Sequence, residues 1–226
     1  MSASRTYGEA CGIPRALDRI GERWALMVIR ELVLGPKRFT DLRTGLPDAS
    51  PNVLSQRLRE LEAAGVVRRR KLPPPAASQV YELTEWGSEL EPVLLALGRW
   101  GARAPLAPSE DRMSMDSHLL SLKTLFDPAL AESFEATLEL RLGEETFRAT
   151  VAGGRLEIVR GEGPAPDATV ATDHGTLLAL SHHRLELADA VRSGEVEIKG
   201  DERVVERFLG LFTMPSPAQP VAAAQD

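Results

Sequence analysis

The sequence predicts an α+β protein built in two unlike parts, and three observations predict it. In the first half, leucines recur at the three- and four-residue spacing of a helix, as at Leu54, Leu58 and Leu61. In the second half, "FEATLELRL" alternates apolar and polar residues at every step, the period of a strand with one wet face. The charge also changes sign: residues 1–104 hold 16 Lys and Arg against 12 Asp and Glu, whereas residues 105–226 hold 11 against 21. The whole-chain net charge of −6 therefore hides a basic half, the half suited to meet a polyanion.

At 226 residues, 43% of them hydrophobic, the chain suffices for one large domain or two ordinary ones. No apolar run approaches the roughly 18 residues that a spanning helix needs. The opening "MSASRTYGEACG" lacks the basic-then-apolar pattern of a signal peptide, so the expected location is the cytoplasm, with no membrane partner. A single cysteine, Cys11, leaves no internal disulfide framework.

The first half reads as helices followed by a ribbon. Pro14 opens a short helix with Leu17 and Ile20 inward. "RWALMVIRELVLG" supplies a second, with Leu26, Val28, Ile29, Leu32 and Val33 on a broad apolar face ended by Gly35-Pro36. "RFTDLRTGLP" gives a third, with Phe39 and Leu42 inward and Gly45 near its end. The fourth starts at Ser50, whose hydroxyl suits a cap, and at Pro51, whose missing amide costs nothing there. Its leucines face the core, so Asn52, Gln56 and Arg59 point the opposite way, flanked by Ser55 and Arg57. Gly65 ends it. "VVRRRKL" and "SQVYEL" then form a two-stranded ribbon around a proline-rich loop.

Thr84 caps the last helix of this half, which Pro92 should break near Ser88 to Glu91. Trp86, Leu90, Val93, Leu97 and Trp100 follow a 4-3-4-3 spacing, the seam of a helix packed along another helix. That seam is either ordinary core or a dimer interface, the simplest partner being a second copy.

Residues 105–116 read as a linker, 117–213 as a second domain and 214–226 as a disordered tail. In the second domain, three alternating segments, "FEATLELRL", "TFRATVA" and "RLEIV", make an antiparallel meander. A short strand at Ala168 to Thr172, helices through "TLLALS" and "LADAVRSG", a strand "EVEIK" and an amphipathic helix capped by Asp201 complete it.

Helices, then a helix with a polar outer face, then a cationic ribbon is the order of a winged helix-turn-helix. A helix seated in the major groove of double-stranded DNA needs hydrogen-bonding side chains outward and phosphate-binding groups at its edges. Asn52, Ser55, Gln56 and Arg59 meet the first need, and Ser50 and Pro51, where the helix begins, are counted with them on the DNA-binding surface. Arg38, Arg57, Arg68, Arg69, Arg70 and Lys71 meet the second. The plainer alternative is a solvated helix beside a solvated charge run.

The blocks "C-G-I-P…L-x-x-I-G-x-R-W", "E-L-x-x-G-P-x-R-F-x-D-L", "S-P-N-V-L-S-Q-R-L-R-E-L-E-x-x-G-V-V-R-R" and "V-Y-E-L-T-x-x-G…L-x-P-V-L-x-x-L-x-x-W" resemble the HxlR-type bacterial transcriptional regulators over residues 7 to 101. The resemblance implies a dimeric winged-helix DNA-binding protein. Its recognition helix would run from Pro51 to Arg59, its wing from Arg68 to Gln79, and its terminal helices would form the dimer interface. Some members sense oxidants through the cysteine equivalent to Cys11, although here Gly12 follows it and proline arrives only at Pro14. Physically, a cysteine just before a helix start and near Arg15 favours the thiolate.

Residues 166–212, "P-D-A-T-V-A-T-D…G-D-E-R-V-V-E-R-F-L-G-L-F", resemble the C-terminal part of the sterol-carrier-protein type 2 fold, an antiparallel sheet with helices. Relatives bind lipids or other hydrophobic small molecules. By that resemblance, Phe134, Leu138, Phe147, Leu177, Leu180, Phe208 and Phe212 would line a pocket, although each could equally fill a closed core. Two rivals to a ligand-responsive regulator stand: a purely structural C-terminal domain, and a carrier of hydrophobic molecules. Of the histidines, His182 and His183 are adjacent and point different ways, while His118 and His174 stand isolated, so neither metal nor cofactor is expected. No G-x-S-x-G, P-loop or dinucleotide pattern marks an enzyme.

Overall fold

The computed structural model describes residues 6–73, 78–104 and 113–218. The chain divides into two units, one of Met1–Leu94 with Met113–Ser117, the other of Leu95–Arg112 with His118–Asp226.

In the first unit, α1 (Gly12–Ile20) turns Ile20 into the core, while Leu17, expected inward, stays exposed. Helix α2 (Ala25–Leu32) buries Val28, Ile29 and Leu32. Helix α3 (Phe39–Gly45) opens where the Arg38 amide donates to the Asp41 carboxylate at 2.9 Å. Helix α4 (Pro51–Ala63) opens where the Val53 amide donates to the Ser50 hydroxyl at 3.3 Å. Leu54, Leu58 and Leu61 are buried, and at about 1.5–3 kcal/mol each they fix which face of α4 turns outward.

Strands β1 (Val67–Lys71) and β2 (Gln79–Leu83) pair antiparallel in the register Val67↔Leu83 to Lys71↔Gln79. The ribbon's tip, 74–77, lies outside the described residues. The Gly87 amide donates to the Thr84 hydroxyl at 3.0 Å, capping α5 (Glu85–Ser88). Gly87 has no room for a side chain, because a Cβ would strike the Val66 carbonyl. The helix breaks ahead of Pro92 and restarts as α6 (Glu91–Gly101), as a proline inside the seam requires.

The boundary between units falls at Leu94, inside α6, rather than at residue 104 where composition placed it. Arg99 gives the reason: its guanidinium donates to the carbonyls of Thr124 and Phe126 at 3.0–3.2 Å, so the end of α6 belongs with the second unit. Residues 105–112 of the expected linker lie outside the described residues. Helix α7 (Met115–Leu125) begins within that expected linker and has no counterpart in the sequence reading.

The second unit holds a five-stranded sheet in the order β5-β4-β3-β6-β7. Its strands are β3 (Ala136–Leu142), β4 (Glu145–Ala152), β5 (Arg155–Arg160), β6 (Ala168–Thr172) and β7 (Glu197–Gly200). Helices α8 (His174–Ser181), α9 (Leu187–Ser193) and α10 (Glu202–Leu209) complete it. The first three strands form the expected meander, but the sheet is mixed rather than antiparallel, because β6 lies parallel to β3. Asp167 starts that pairing: its amide donates to the Thr137 carbonyl at 2.8 Å, and the Thr137 amide donates to its carboxylate at 2.7 Å. Glu139, expected on the wet face, is buried, with the Arg141 guanidinium donating to it at 2.7 Å.

The tail, expected to be disordered from Met214, is anchored as far as it is described. The Ala218 amide donates to the Arg103 carbonyl at 2.8 Å, and the Arg103 side chain donates to the Ser216 carbonyl at 3.2 Å. Residues 219–226 lie outside the described residues. No described helix is long and apolar enough to cross a membrane.

Candidate nucleic-acid interface

Because α4 buries its leucine stripe, Asn52, Gln56 and Arg59 stand exposed on the opposite side, with Ser55 half-buried beside them. Gln56 donates to Glu60 at 2.9 Å. Arg59 makes no ion pair among the described residues, so its guanidinium is uncommitted. Arg57 departs from expectation. It is only 8% exposed and pairs with Glu60 and, at 3.7 Å, with Glu22. Three residues after Leu54 and four before Leu61, it sits on the edge of the buried stripe and tethers α4 to the α1–α2 turn rather than facing a phosphate.

The ribbon carries its cations on alternating faces. Arg68 and Arg70 share one face and Arg69 takes the other, as a strand requires. All three are exposed, yet each is held by a carboxylate: Arg68 and Arg70 by Glu82 at 2.8 Å, Arg69 by Glu62 at 2.6 Å. Burial pushes the Glu82 carboxyl up, but the hydrogen bonds and charges of Arg70 and Arg68 outweigh it and hold the group below its ordinary range. Lys71 is exposed without an ion pair among the described residues, and Arg38 donates to the hydroxyl of Ser78, the residue just before β2, at 3.1 Å.

Behind the interface lies an ionic cluster absent from the sequence reading. Glu31 is 0% exposed and accepts from Lys37 at 2.8 Å, Arg30 at 2.9 Å and Ser114 at 2.6 Å. Lys37 also pairs with Asp116 at 2.6 Å, and its backbone exchanges hydrogen bonds with Tyr81 of β2 at 3.0 and 2.8 Å. Burial raises the Glu31 pKa, but Lys37, Ser114 and Arg30 together bring it below its ordinary value. Gly45 must lack a side chain here, since a Cβ would collide with the Glu31 carboxylate.

The remaining sequence-predicted residues fall in two groups. On α5 and α6, Trp86 (50% exposed), Val93, Leu97 and Trp100 (73% exposed) lie at the surface, with Leu90 half-buried. Cys11 is exposed at the start of α1. In the second unit, Phe134, Leu138, Phe147, Leu177, Leu180, Phe208 and Phe212 are all buried, the last two phenylalanines edge-to-face at 5.1 Å.

The histidines taken as isolated are not. The rings of His174 and His182 lie 5.1 and 6.4 Å from that of His118. His118 is buried and sits 3.1 Å from the Ser181 hydroxyl, which donates to the Leu178 carbonyl. Burial, reinforced by His174 and His182, pushes the His118 pKa down to about 3. The unfolded chain takes up that proton near 6.5, the folded chain only near 3, so the unfolded state binds more protons between those values. Stability is therefore full above pH 6.5 and declines as pH falls through this window, by up to about 1.4 kcal/mol per pH unit. His118→Gln should flatten the slope of urea-unfolding stability between about pH 6.5 and 5. An unchanged slope would mean that His118 does not resist protonation. Among the described residues, no group of three or more His, Cys, Asp or Glu is arranged to hold a metal ion.

A helix with its apolar side sunk in the core and its polar side exposed, followed by a cationic ribbon, defines a winged helix-turn-helix protein. Comparison with known proteins gives the family. Residues 19–106 match the HxlR-like helix-turn-helix family, and residues 111–222 match the alkyl sulfatase C-terminal family. The chain is 37% identical over 86 residues to the uncharacterized HTH-type transcriptional regulator YvaP of Bacillus subtilis (strain 168), a match spanning 38% of this chain and 80% of that protein. It is 36% identical over 85 residues to the HTH-type transcriptional regulator YodB of the same organism, spanning 38% of this chain and 76% of YodB. Among solved structures, the oxidized form of the redox regulator HypR is 34% identical, with 43% of this chain and 100% of that one covered and a TM-score of 0.40. The sec-alkylsulfatase Pisa1 from Pseudomonas sp. is 20% identical, with 92% of this chain and 30% of that one covered and a TM-score of 0.46. The chain belongs to the HxlR-like helix-turn-helix family and is a DNA-binding transcriptional regulator. Its second half is similar to the C-terminal region of alkyl sulfatases.

Proposed function

We propose that the chain works as a homodimer that seats two copies of α4 in successive major grooves of a near-palindromic site. Centres about 34–36 Å apart follow from the general geometry of helix-turn-helix dimers. The observation that carries this reading is the exposed face of Asn52, Gln56 and Arg59, set opposite three buried leucines. Ser55 borders that face, Ser50 and Pro51 set where it begins, and Arg38, Arg68, Arg69, Arg70 and Lys71 supply phosphate contacts around it.

Self-association is supported by the exposed seam of Trp86, Val93, Leu97 and Trp100, too much apolar surface to leave in water. Leu97→Glu places a charge in that seam while leaving the DNA-facing residues untouched. It should turn a dimer into a monomer in sedimentation and weaken binding to a two-half-site duplex at least tenfold, since each monomer then holds one half-site alone. A variant that remains dimeric would move the interface elsewhere.

In functional terms residues 1–104 would serve DNA binding and dimerisation, although the end of α6 packs with the second unit, and 117–213 would act as a non-catalytic, sterol-carrier-like binding domain joined to them through 105–116. In this reading the second domain takes up a hydrophobic molecule and alters DNA affinity. A second reading, a structural domain, is favoured by the complete burial of the seven candidate lining residues, as in a filled core. Denaturing mass spectrometry of the freshly purified protein decides between them. A stoichiometric apolar molecule supports ligand binding, and an empty domain supports the structural role.

A further inference from the structure

The wing's cations are arranged, not merely present. Arg68 lies directly across the ladder from Glu82, and Arg70 lies diagonally from it on the same face. One carboxylate oxygen of Glu82 accepts from the Arg68 Nε at 2.8 Å and the other from the Arg70 Nε at 2.8 Å. The Glu82 side chain is 11% exposed, while those of Arg68 and Arg70 are 64% and 44% exposed. A guanidinium carries five N–H donors, and only the Nε donor of each is used in the ion pairs with Glu82. Among the described residues the terminal amino groups of both arginines remain available to an outside acceptor, and the buried carboxylate holds their stems side by side.

We infer that Arg68 and Arg70 form a two-guanidinium clamp for a phosphodiester group, and that Glu82 is its positioning residue. The inference rests on the reading that the ribbon meets DNA. Planar guanidinium pairs match the oxygens of a phosphate, and a pair already fixed loses less side-chain freedom on binding than two free arginines. Glu82 lowers the ribbon's net charge, so its charge and its positioning act on DNA affinity with opposite signs. That opposition makes the idea testable.

The experiment is fluorescence anisotropy of the full chain with a mixed-sequence duplex long enough to span the dimer, at several salt concentrations. Arg68→Ala and Arg70→Ala should each weaken binding and reduce the salt slope by about one. Glu82→Gln should weaken binding by about threefold to tenfold although it removes a negative charge, since one of the two accepting oxygens becomes an NH2 donor that faces an arginine. In an R68A/R70A background the same change should cost nothing or tighten binding. Arg70→Lys guards against a Glu82 variant that misfolds: it keeps the charge but loses the fork, and should bind nearly as weakly as Arg70→Ala. If Glu82→Gln binds as tightly as the parent or tighter, or Arg70→Lys binds like the parent, the cations act as charge alone and the clamp is overturned. If R68A/R70A itself binds unchanged, the ribbon does not meet DNA, and the underlying reading fails with it.

Discussion

Replacing Lys37 by methionine should destabilise the first unit by about 3–5 kcal/mol, the usual cost of removing one partner from a buried ion pair. Lys37 pairs with Glu31 at 2.8 Å and Asp116 at 2.6 Å, and both carboxylates are buried. Without the ammonium, Glu31 keeps Arg30 and Ser114 but loses its closest cation, and two carboxylates remain in a medium that penalises charge. Urea unfolding of the variant should show the loss. Replacing all three residues with apolar side chains (E31L, K37M and D116L) should recover part of it, because both buried carboxylates go with the ammonium, although the partly exposed Arg30 then loses Glu31. A loss below about 1 kcal/mol, the scale of a surface pair, would show that water reaches the cluster. The cluster also carries a pH dependence. Glu31 is held below its ordinary 4.5, so its contribution is present above that value and lost as pH falls through the lower folded value.

The second large effect concerns base recognition. Arg59→Ala should reduce discrimination between the preferred site and a shuffled duplex by about 1–3 kcal/mol, the range for a bidentate contact to a base edge. Gln56→Ala should cost toward the lower end, because in the free protein Gln56 already spends a donor on Glu60 at 2.9 Å and must release it to read a base. Arg59 has no such commitment among the described residues. Competition binding with single-base variants of the site measures both, and each loss should be confined to one or two positions in the half-site. A uniform loss across all sequences would turn either residue into a phosphate contact.

Much of the fold was legible because its determinants are local. The cap at Ser50, the break at Pro92 and, apart from the buried Glu139, the period-two alternation of β3 to β5 each depend on neighbours a few residues away, and each stands where the pattern placed it. What escaped was non-local or hidden by habit. Nothing in the sequence of β6 announces that it pairs parallel to β3, since that depends on Asp167 reaching Thr137 thirty residues earlier in the chain. Glu31, Lys37 and Asp116 come from three separate segments and show no motif. The histidine group arises because α7 brings His118 beside α8, and α7 itself went unread behind a linker-like composition. A signal for it existed: Leu119, Leu122 and Leu125 recur at helical spacing, and all three are buried. Arg57 was also readable. It falls in the register of Leu54 and Leu61, and position should have outweighed its charge.

The family places this chain among DNA-binding regulators, and the proposed function gives base recognition to one face of α4. The most direct test is equilibrium binding of the full chain to duplexes drawn from sequence upstream of its own gene, beside shuffled controls, at low and moderate salt. The parent protein should prefer a cognate fragment over its shuffled control at both salts. The triple variant N52A/Q56A/R59A should keep its fold and its salt-dependent affinity while losing that preference. A triple variant that still tells cognate from shuffled DNA as well as the parent would contradict recognition by this face.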